Sequence, residues 1–326
     1  MTTSTMVDDD FVAQADPFRR ELLAHCYRML GSLHDAEDLV QETYLRAWRA
    51  YDRFEGRSSL RTWLYRIATT TCLTALENRK RRPLPTGLGG PADDAGGELV
   101  ESSEVPWLEP IPDAMIVDDH TDPATIVGVR ESTRLAFVAA LQHLPARQRA
   151  VLILREVLKW KASEVADALG TSTTAVNSIL QRARTQLDQV KPSEADTAES
   201  LTAEQQQLLD RYVAAFEAKD IQAIVQLFTA DAVWEMPPFL TWVRGAEQIG
   251  RLVDAQCPAG PDDMRLLPAH ANGQLAFGVY MREPDGEFRP FHLQVLDFEG
   301  AAIKHTVAFF DVSLFPAFGL PDIYPR

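Results

Sequence analysis

The feature that most constrains this chain is a change of hydrophobic period partway along it. From Pro17 to Arg82, and again from about Ser132 to Val190, apolar residues recur every three or four positions, as in Leu22, Leu23, Cys26, Met29 and Leu30, or Leu60, Trp63, Leu64, Ile67 and Ala68. That spacing puts them on one stripe of a helix. A further helix is expected within 208–228, and another at 246–256. Beyond these the pattern becomes strand-like, with candidate strands at 232–236, 265–271, 274–281, 288–298 and 301–310 and a turn at Pro284-Asp285-Gly286. One core cannot serve both periods, and 326 residues suffice for two or three domains. The expected fold class is multidomain: two all-α helical modules joined by an acidic linker, then an α+β domain.

Charge divides the chain at the same places. The total is −15, but residues 16–82 and 133–190 each carry +4, whereas 83–132 and 191–326 each carry −10. Two basic helical modules between acidic segments suit a nucleic-acid partner better than the total suggests. Residues 83–130, rich in Pro, Gly and acid, read as a linker; its Val105-Pro106-Trp107-Leu108-Glu109-Pro110-Ile111-Pro112 stretch has the composition of a segment that docks in extended form. No apolar run approaches the length of a bilayer span, and the first ten residues, MTTSTMVDDD, lack the marks of an export signal. The expectation is a cytoplasmic protein with no membrane partner. Cys26, Cys72 and Cys257 fit neither a disulfide framework nor a zinc site, and neither a cofactor nor a metal is expected.

The most specific local signal lies at 162–184. A helix with Val165, Ala166 and Leu169 on one face ends at Gly170, and a second begins at a Ser/Thr cap with Val176, Ile179, Leu180 and Ala183 inward. This is helix-turn-helix spacing. The outward Thr173, Thr174, Asn177, Ser178, Gln181, Arg182 and Arg184 suit base edges and phosphates in a major groove.

The first module carries two unlike surfaces. Asp35, Asp38 and Glu42, with Glu37 and Gln41, form an acidic stripe that would repel DNA and suit a basic protein partner. Its third helix is preceded by a loop with Phe54, Arg57 and Ser58, and carries Arg61, Tyr65 and Arg66. It ends in Asn78, Arg79, Arg81 and Arg82, cations beside aromatics as single-stranded DNA requires. Trp63 is expected in the core, which leaves Tyr65 as the stacking candidate.

Residues 35–82 resemble region 2 of the extracytoplasmic-function sigma factors of the sigma-70 family. Residues 133–187, with HLPARQRAVLILREV and the helix-turn-helix, resemble region 4. The resemblance implies a sigma factor that binds core RNA polymerase and directs promoter-specific transcription initiation. Asp35, Glu37, Asp38, Gln41 and Glu42 would face the clamp helices of the largest polymerase subunit. Phe54, Arg57, Ser58, Arg61, Tyr65, Arg66, Asn78, Arg79, Arg81 and Arg82 would serve the −10 element. The second helix of the helix-turn-helix would read the −35 element beside the polymerase flap. Thr70 and Thr74 depart from the family's usual Asn and Asp, which bears on −10 preference.

The C-terminal part resembles the SnoaL-like, polyketide-cyclase-like domains of the nuclear-transport-factor-two fold, through LDRYVAAFEAKDIQAIVQLFT and the following ADAVWEMPP. That implies an apolar cone, lined by Trp234, Met236, Phe239, Trp242, Phe291 and Phe310, with His292, His305, Asp297 and Asp311 as its titratable groups. No catalytic constellation is evident among them. A regulatory domain is therefore expected rather than an enzyme, its linker docking on it or on the sigma modules. The expected domains are 16–82, 83–130, 131–190 and 200–326. Two other readings remain: a helix-turn-helix regulator sensing a small molecule in the C-terminal domain, and a SnoaL-like isomerase or cyclase fused to a DNA-binding domain.

Overall fold

The computed structural model describes residues 11–117, 122–189 and 202–325. The N-terminal decapeptide, part of the acidic segment at 118–121 and the polar stretch after residue 190 lie outside them. The chain divides into two units, one of residues 1–82 with 108–192, the other of 83–107 with 193–326.

The first unit is all helical: α1 (Arg19–Leu30), α2 (Leu33–Ala50), α3 (Leu60–Leu76), α4 (Asp113–Ile116), α5 (Pro123–Thr133), α6 (Leu135–Leu141), α7 (Ala146–Leu152), α8 (Ala162–Leu169) and α9 (Thr173–Gln189), with a π-helical turn at Ile153–Val157. Local chemistry sets the breaks. α1 stops at Gly31, whose φ of 70° is left-handed, and Ser32 caps α2 by accepting from the Asp35 amide at 3.1 Å. Ser59 caps α3 through the Thr62 amide in the same way. Gly31 has a second reason to be glycine, because a Cβ there would lie 2.7 Å from Leu108 Cδ1.

α1, α2 and α3 pack around Leu22, Cys26, Met29, Val40, Ala47, Leu64 and Ala68, all buried. α5 and α7 are fastened to the same bundle by two buried guanidiniums. Arg28 donates to the Ser132 hydroxyl at 2.8 Å, and Arg149 donates to the Met29 carbonyl and to Gln142 Oε1 at 2.7 Å. Burial lowers both to about 10.

The second unit holds α10 (Ala203–Glu217), α11 (Ile221–Val225), α12 (Ala246–Gln256) and a six-stranded sheet: β1 (Phe228–Glu235), β2 (Trp242–Arg244), β3 (Met264–Ala271), β4 (Gln274–Arg282), β5 (Phe288–Glu299) and β6 (Ala302–Phe309). The strand order is β2-β1-β6-β5-β4-β3, antiparallel except for β1 beside β6. The helices fill one face of the sheet, where Tyr212, Phe216, Trp234, Leu266, Phe277 and Leu296 form the core. β2 escapes sequence detection because three residues are too few to show an alternation.

The segment 83–107 is part of this unit. Its backbone is held by Thr86 N to Glu235 Oε2 at 2.7 Å, Ala92 N to Trp242 O at 2.8 Å and Ser102 N to Pro238 O at 3.0 Å, and Ala95 is buried in the core. The expected linker at 83–130 thus docks, and on both units rather than on one. Its first part joins the sheet unit, and 108–117 joins the helical unit, where Tyr27 donates to the Glu109 carbonyl at 2.8 Å and Ser32 to the Glu109 carboxylate at 2.8 Å. Proline and glycine conceal this, because extended docking satisfies backbone groups without any hydrophobic period.

Candidate functional site

On α2 the buried Ala36, Val40, Thr43 and Ala47 turn the acidic stripe outward. Asp38 and Gln41 are exposed, and Glu42 pairs with Arg46 one turn on at 2.6 Å. Glu37 is half-buried. Asp35 departs from the expectation of an available acid: Arg79 and Arg82 hold its carboxylate, Arg82 at 2.6 Å. Burial alone would raise its pKa, but the Arg79 hydrogen bond and the Arg82 charge outweigh it and hold the group below its ordinary value. Beside the stripe, Leu45 and Trp48 are 47% and 45% exposed. With Phe11, Val12, Gln41 and Tyr44 they line an open groove of about 610 Å³. Sequence reasoning missed this apolar strip, because the helical period of α2 alone does not separate Trp48 from the buried Val40 and Ala47.

The −10 candidates separate into two groups. Phe54, half-buried, lies 4.9 Å from the Trp63 ring and 6.3 Å from Tyr51, a joined aromatic surface beside Gly56, whose φ is 66°. Arg57 is exposed and pairs with Glu55 at 2.9 Å; Arg66 and Asn78 are exposed, and Ser58 is half-buried.

Tyr65 is a correction. It is 1% exposed, lies 5.2 Å from His25 and donates to Glu21 Oε2 at 3.2 Å, so no face of its ring is left for a base. Trp63, half-buried and joined to Phe54, has the exposure that Tyr65 lacks. Arg61 grips Glu21 through Nε at 2.8 Å and Nη2 at 2.7 Å. Arg82 also reaches Glu109 Oε1 at 3.4 Å, and Arg81 meets His143 Nδ1 at 2.8 Å. The cationic run is therefore largely occupied by groups of its own unit.

The helix-turn-helix has the simplest geometry. α8 ends at Gly170 with φ 59°, and the Ser172 hydroxyl accepts from the Ala175 amide at 3.2 Å to start α9. Val165 and Ala166 of α8 and Val176, Leu180 and Ala183 of α9 are buried. Thr173, Thr174, Asn177, Ser178, Gln181, Arg182 and Arg184 are all exposed along the opposite side. Arg184 pairs with Glu156 at 2.5 Å.

In the second unit five of the six expected cone residues gather on the helix side of the sheet. Trp234 and Met236 join the core, while Phe239, Phe291 and Phe310 are half-buried and packed edge to face, at 5.5 and 5.3 Å. Trp242 is a correction, since it falls on the other side of the sheet and its indole donates to the Gly89 carbonyl at 3.1 Å. His305 likewise pairs with the fully buried Glu235 at 2.7 Å. Burial alone would lower His305, but the Glu235 hydrogen bond raises it above its ordinary value. Strand alternation puts His292 on the helix side, away from His305. Burial lowers His292 to about 3, so it stays neutral. Asp297 is buried, and exposed Asp311 only caps a turn through the Ser313 amide at 3.0 Å. Apart from the His305–Glu235 pair the proton-transfer groups are dispersed, and no cluster of metal-ligating residues occurs among the described residues. No helix of the described residues is long and apolar enough to cross a membrane.

Comparison with known proteins agrees with this division. Family models match in three places: Sigma-70 region 2 at residues 15–82, Sigma-70 region 4 at 134–187 and a SnoaL-like domain at 209–304. The chain is 65% identical over 315 residues to the ECF RNA polymerase sigma factor SigG of Mycobacterium tuberculosis, covering 96% of this chain and 84% of that one. It is 28% identical over 253 residues to SigJ of the same organism, covering 74% and 72%. The crystal structure of SigJ matches with a TM-score of 0.60 at 22% identity, covering 95% of this chain and all of that chain, and so shares the fold. Two helical sigma regions, a SnoaL-like domain and 65% identity to such a factor lead to one conclusion: this chain belongs to the ECF family of RNA polymerase sigma factors.

Proposed function

We propose that the first unit binds core RNA polymerase through α2 and promoter DNA through two further faces. The observation that carries this is α9, whose seven outward polar positions are all exposed above a buried apolar stripe. Its dimensions and side chains suit a major groove, and the −35 element is its target. Asp38, Gln41 and Glu42 supply the charged part of the polymerase face, against the basic side of the clamp helices, and Leu45 and Trp48 its apolar part. Phe54 and Trp63 offer stacking surface to unpaired −10 bases, with Arg57, Arg66 and Asn78 beside them. Arg61, Arg79, Arg81 and Arg82 support that face from within it, and Arg79 and Arg82 become phosphate partners where Asp35 and Glu109 release them.

The second unit, with 83–107 docked on it, acts as a regulatory domain without chemistry of its own, because its one His–carboxylate pair, His305 with Glu235, lies on the sheet face away from the apolar core, where only neutral His292 is found. Gel-shift titration of the polymerase holoenzyme on a −35/−10 promoter tests the DNA assignment. Arg182→Glu with Arg184→Glu is expected to weaken promoter binding at least about tenfold while core binding stays intact. Unchanged promoter affinity refutes the placement of α9.

A further inference from the structure

The stacking surface of Phe54 and Trp63 stands at an exposed loop. Of residues 52–59 only Phe54 and Ser58 are half-buried, and the rest are exposed. A ring on such a loop serves a base well only if it is fixed from behind, because ordering a loose side chain on binding is subtracted from the affinity.

Neighbouring rings do the fixing. Phe54 lies 4.9 Å from Trp63, which α3 carries, and 6.3 Å from Tyr51 with the two planes only 11° apart. Its amide donates to the Tyr51 carbonyl at 2.9 Å. Tyr51 thus backs the surface on the loop side as α3 does on the other. It stands where α2 gives way to a single 3-10 turn, Tyr51–Arg53, so its side chain in turn needs support.

That support comes from the residues before α1. Residues 11–15 form a helical turn, continued by the 3-10 turn Asp16–Phe18, and Phe11 is only 1% exposed. Its ring lies 5.0 Å from Tyr51 and 6.3 Å from Tyr44. Both tyrosine hydroxyls reach back to the turn: Tyr51 donates to Gln14 Oε1 at 3.1 Å and Tyr44 to the Ala15 carbonyl at 2.9 Å. Four rings therefore follow one another at contact spacing, from buried Phe11 through Tyr51 and Phe54 to Trp63. The Sigma-70 region 2 match begins at residue 15, so Phe11 lies outside it.

We propose that Phe11 is a positioning residue for the capture of unpaired −10 bases: it fixes Tyr51, and through Tyr51 the tilt of the Phe54 and Trp63 rings. Being buried, Phe11 meets no base itself. A flexible side chain in its place lets Tyr51 swing, and Phe54 loses the wall against which a base presses it. This role rests on the reading of Phe54 and Trp63 as a stacking surface.

The test uses holoenzyme of the full chain with core polymerase, on a fork promoter whose unpaired −10 bases are replaced by 2-aminopurine one at a time. Stacking on a ring quenches that base, and the depth of quench at saturation reports geometry rather than the fraction of folded chain. Phe11→Leu keeps apolar volume but no ring. It is expected to make the quench shallower and to weaken fork binding about threefold while core binding is unchanged. Phe54→Ala is expected to weaken fork binding about tenfold, and the double variant no further, because Phe11 acts only through the ring already lost. Tyr51→Leu breaks the same chain one ring later and is expected to match Phe11→Leu, which decides the matter should Phe11→Leu not fold. Parent-like quench depth in a folded variant, or additive losses in the double variant, overturns the positioning role. So does an equal loss of core binding and fork binding, the mark of a merely structural residue. No quench with the parent chain, and full fork binding by Phe54→Ala, overturns instead the stacking reading on which the proposal stands.

Discussion

At the scale of single residues, the first unit places few polar groups where they are free of its own structure. Asp38 is exposed while Asp35, three residues earlier, is held by two arginines. Asp38→Arg with Glu42→Arg is therefore expected to abolish core-polymerase binding without lowering the melting temperature, measured by pull-down and calorimetry. Retained binding by the folded variant removes α2 from that role. Tyr65 and Trp63 offer a contrast. Tyr65→Ala empties a buried site and is expected to cost about 3–5 kcal/mol in denaturant unfolding, whereas Trp63→Ala is expected to slow promoter opening more than it lowers stability. The sequence pattern favours the opposite assignment, because helical spacing puts Trp63 on the core stripe and cannot reveal that Glu21 and His25 close over Tyr65.

Buried histidines give a pH signature. His25 and His292 are both lowered to about 3 by burial, while an unfolded chain binds their protons near 6.5. The unfolded state thus binds more protons between these values, so stability falls as pH drops below about 6.5, by about 1.4 kcal/mol per pH unit for each histidine. His292→Phe is expected to flatten that slope for the second unit in urea titrations at pH 4 to 7. An unchanged slope contradicts the neutral buried ring.

Among the elements, legibility followed local chemistry. α12 was expected at 246–256 and is found at Ala246–Gln256, and Ser59 and Gly170 cap where their side chains or lack of one predict. Gly170→Ala meets no atom within 4 Å, yet its φ of 59° disfavours any Cβ. The expected loss is about 1 kcal/mol, with weaker −35 binding because α8 and α9 lose their fixed angle. A thermal shift near zero would show the turn to be tolerant. The segment 83–107 was illegible for the opposite reason. Its order comes from partners in strands more than 100 residues away, such as the Glu235 carboxylate that accepts from the Thr86 amide, and no local signal encodes such a pairing.

For the whole molecule, the two faces proposed for DNA belong to a single helical unit of about 170 residues, roughly 30–40 Å across. Within it, Arg28 fastens α1 to Ser132 at the end of α5, and Arg149 fastens α7 to the Met29 carbonyl of α1 and to Gln142. Both guanidiniums are buried against neutral hydrogen-bond partners, an arrangement that is costly in charge.

The central claim is promoter selection by this chain on core polymerase. Run-off transcription on a promoter library tests it, comparing the parent chain with Arg182→Glu/Arg184→Glu. The account predicts promoter-specific transcripts from the parent and their loss in the variant, with core binding unchanged. Transcripts that appear equally with both chains, or with neither although both are folded and bound to polymerase, would contradict it.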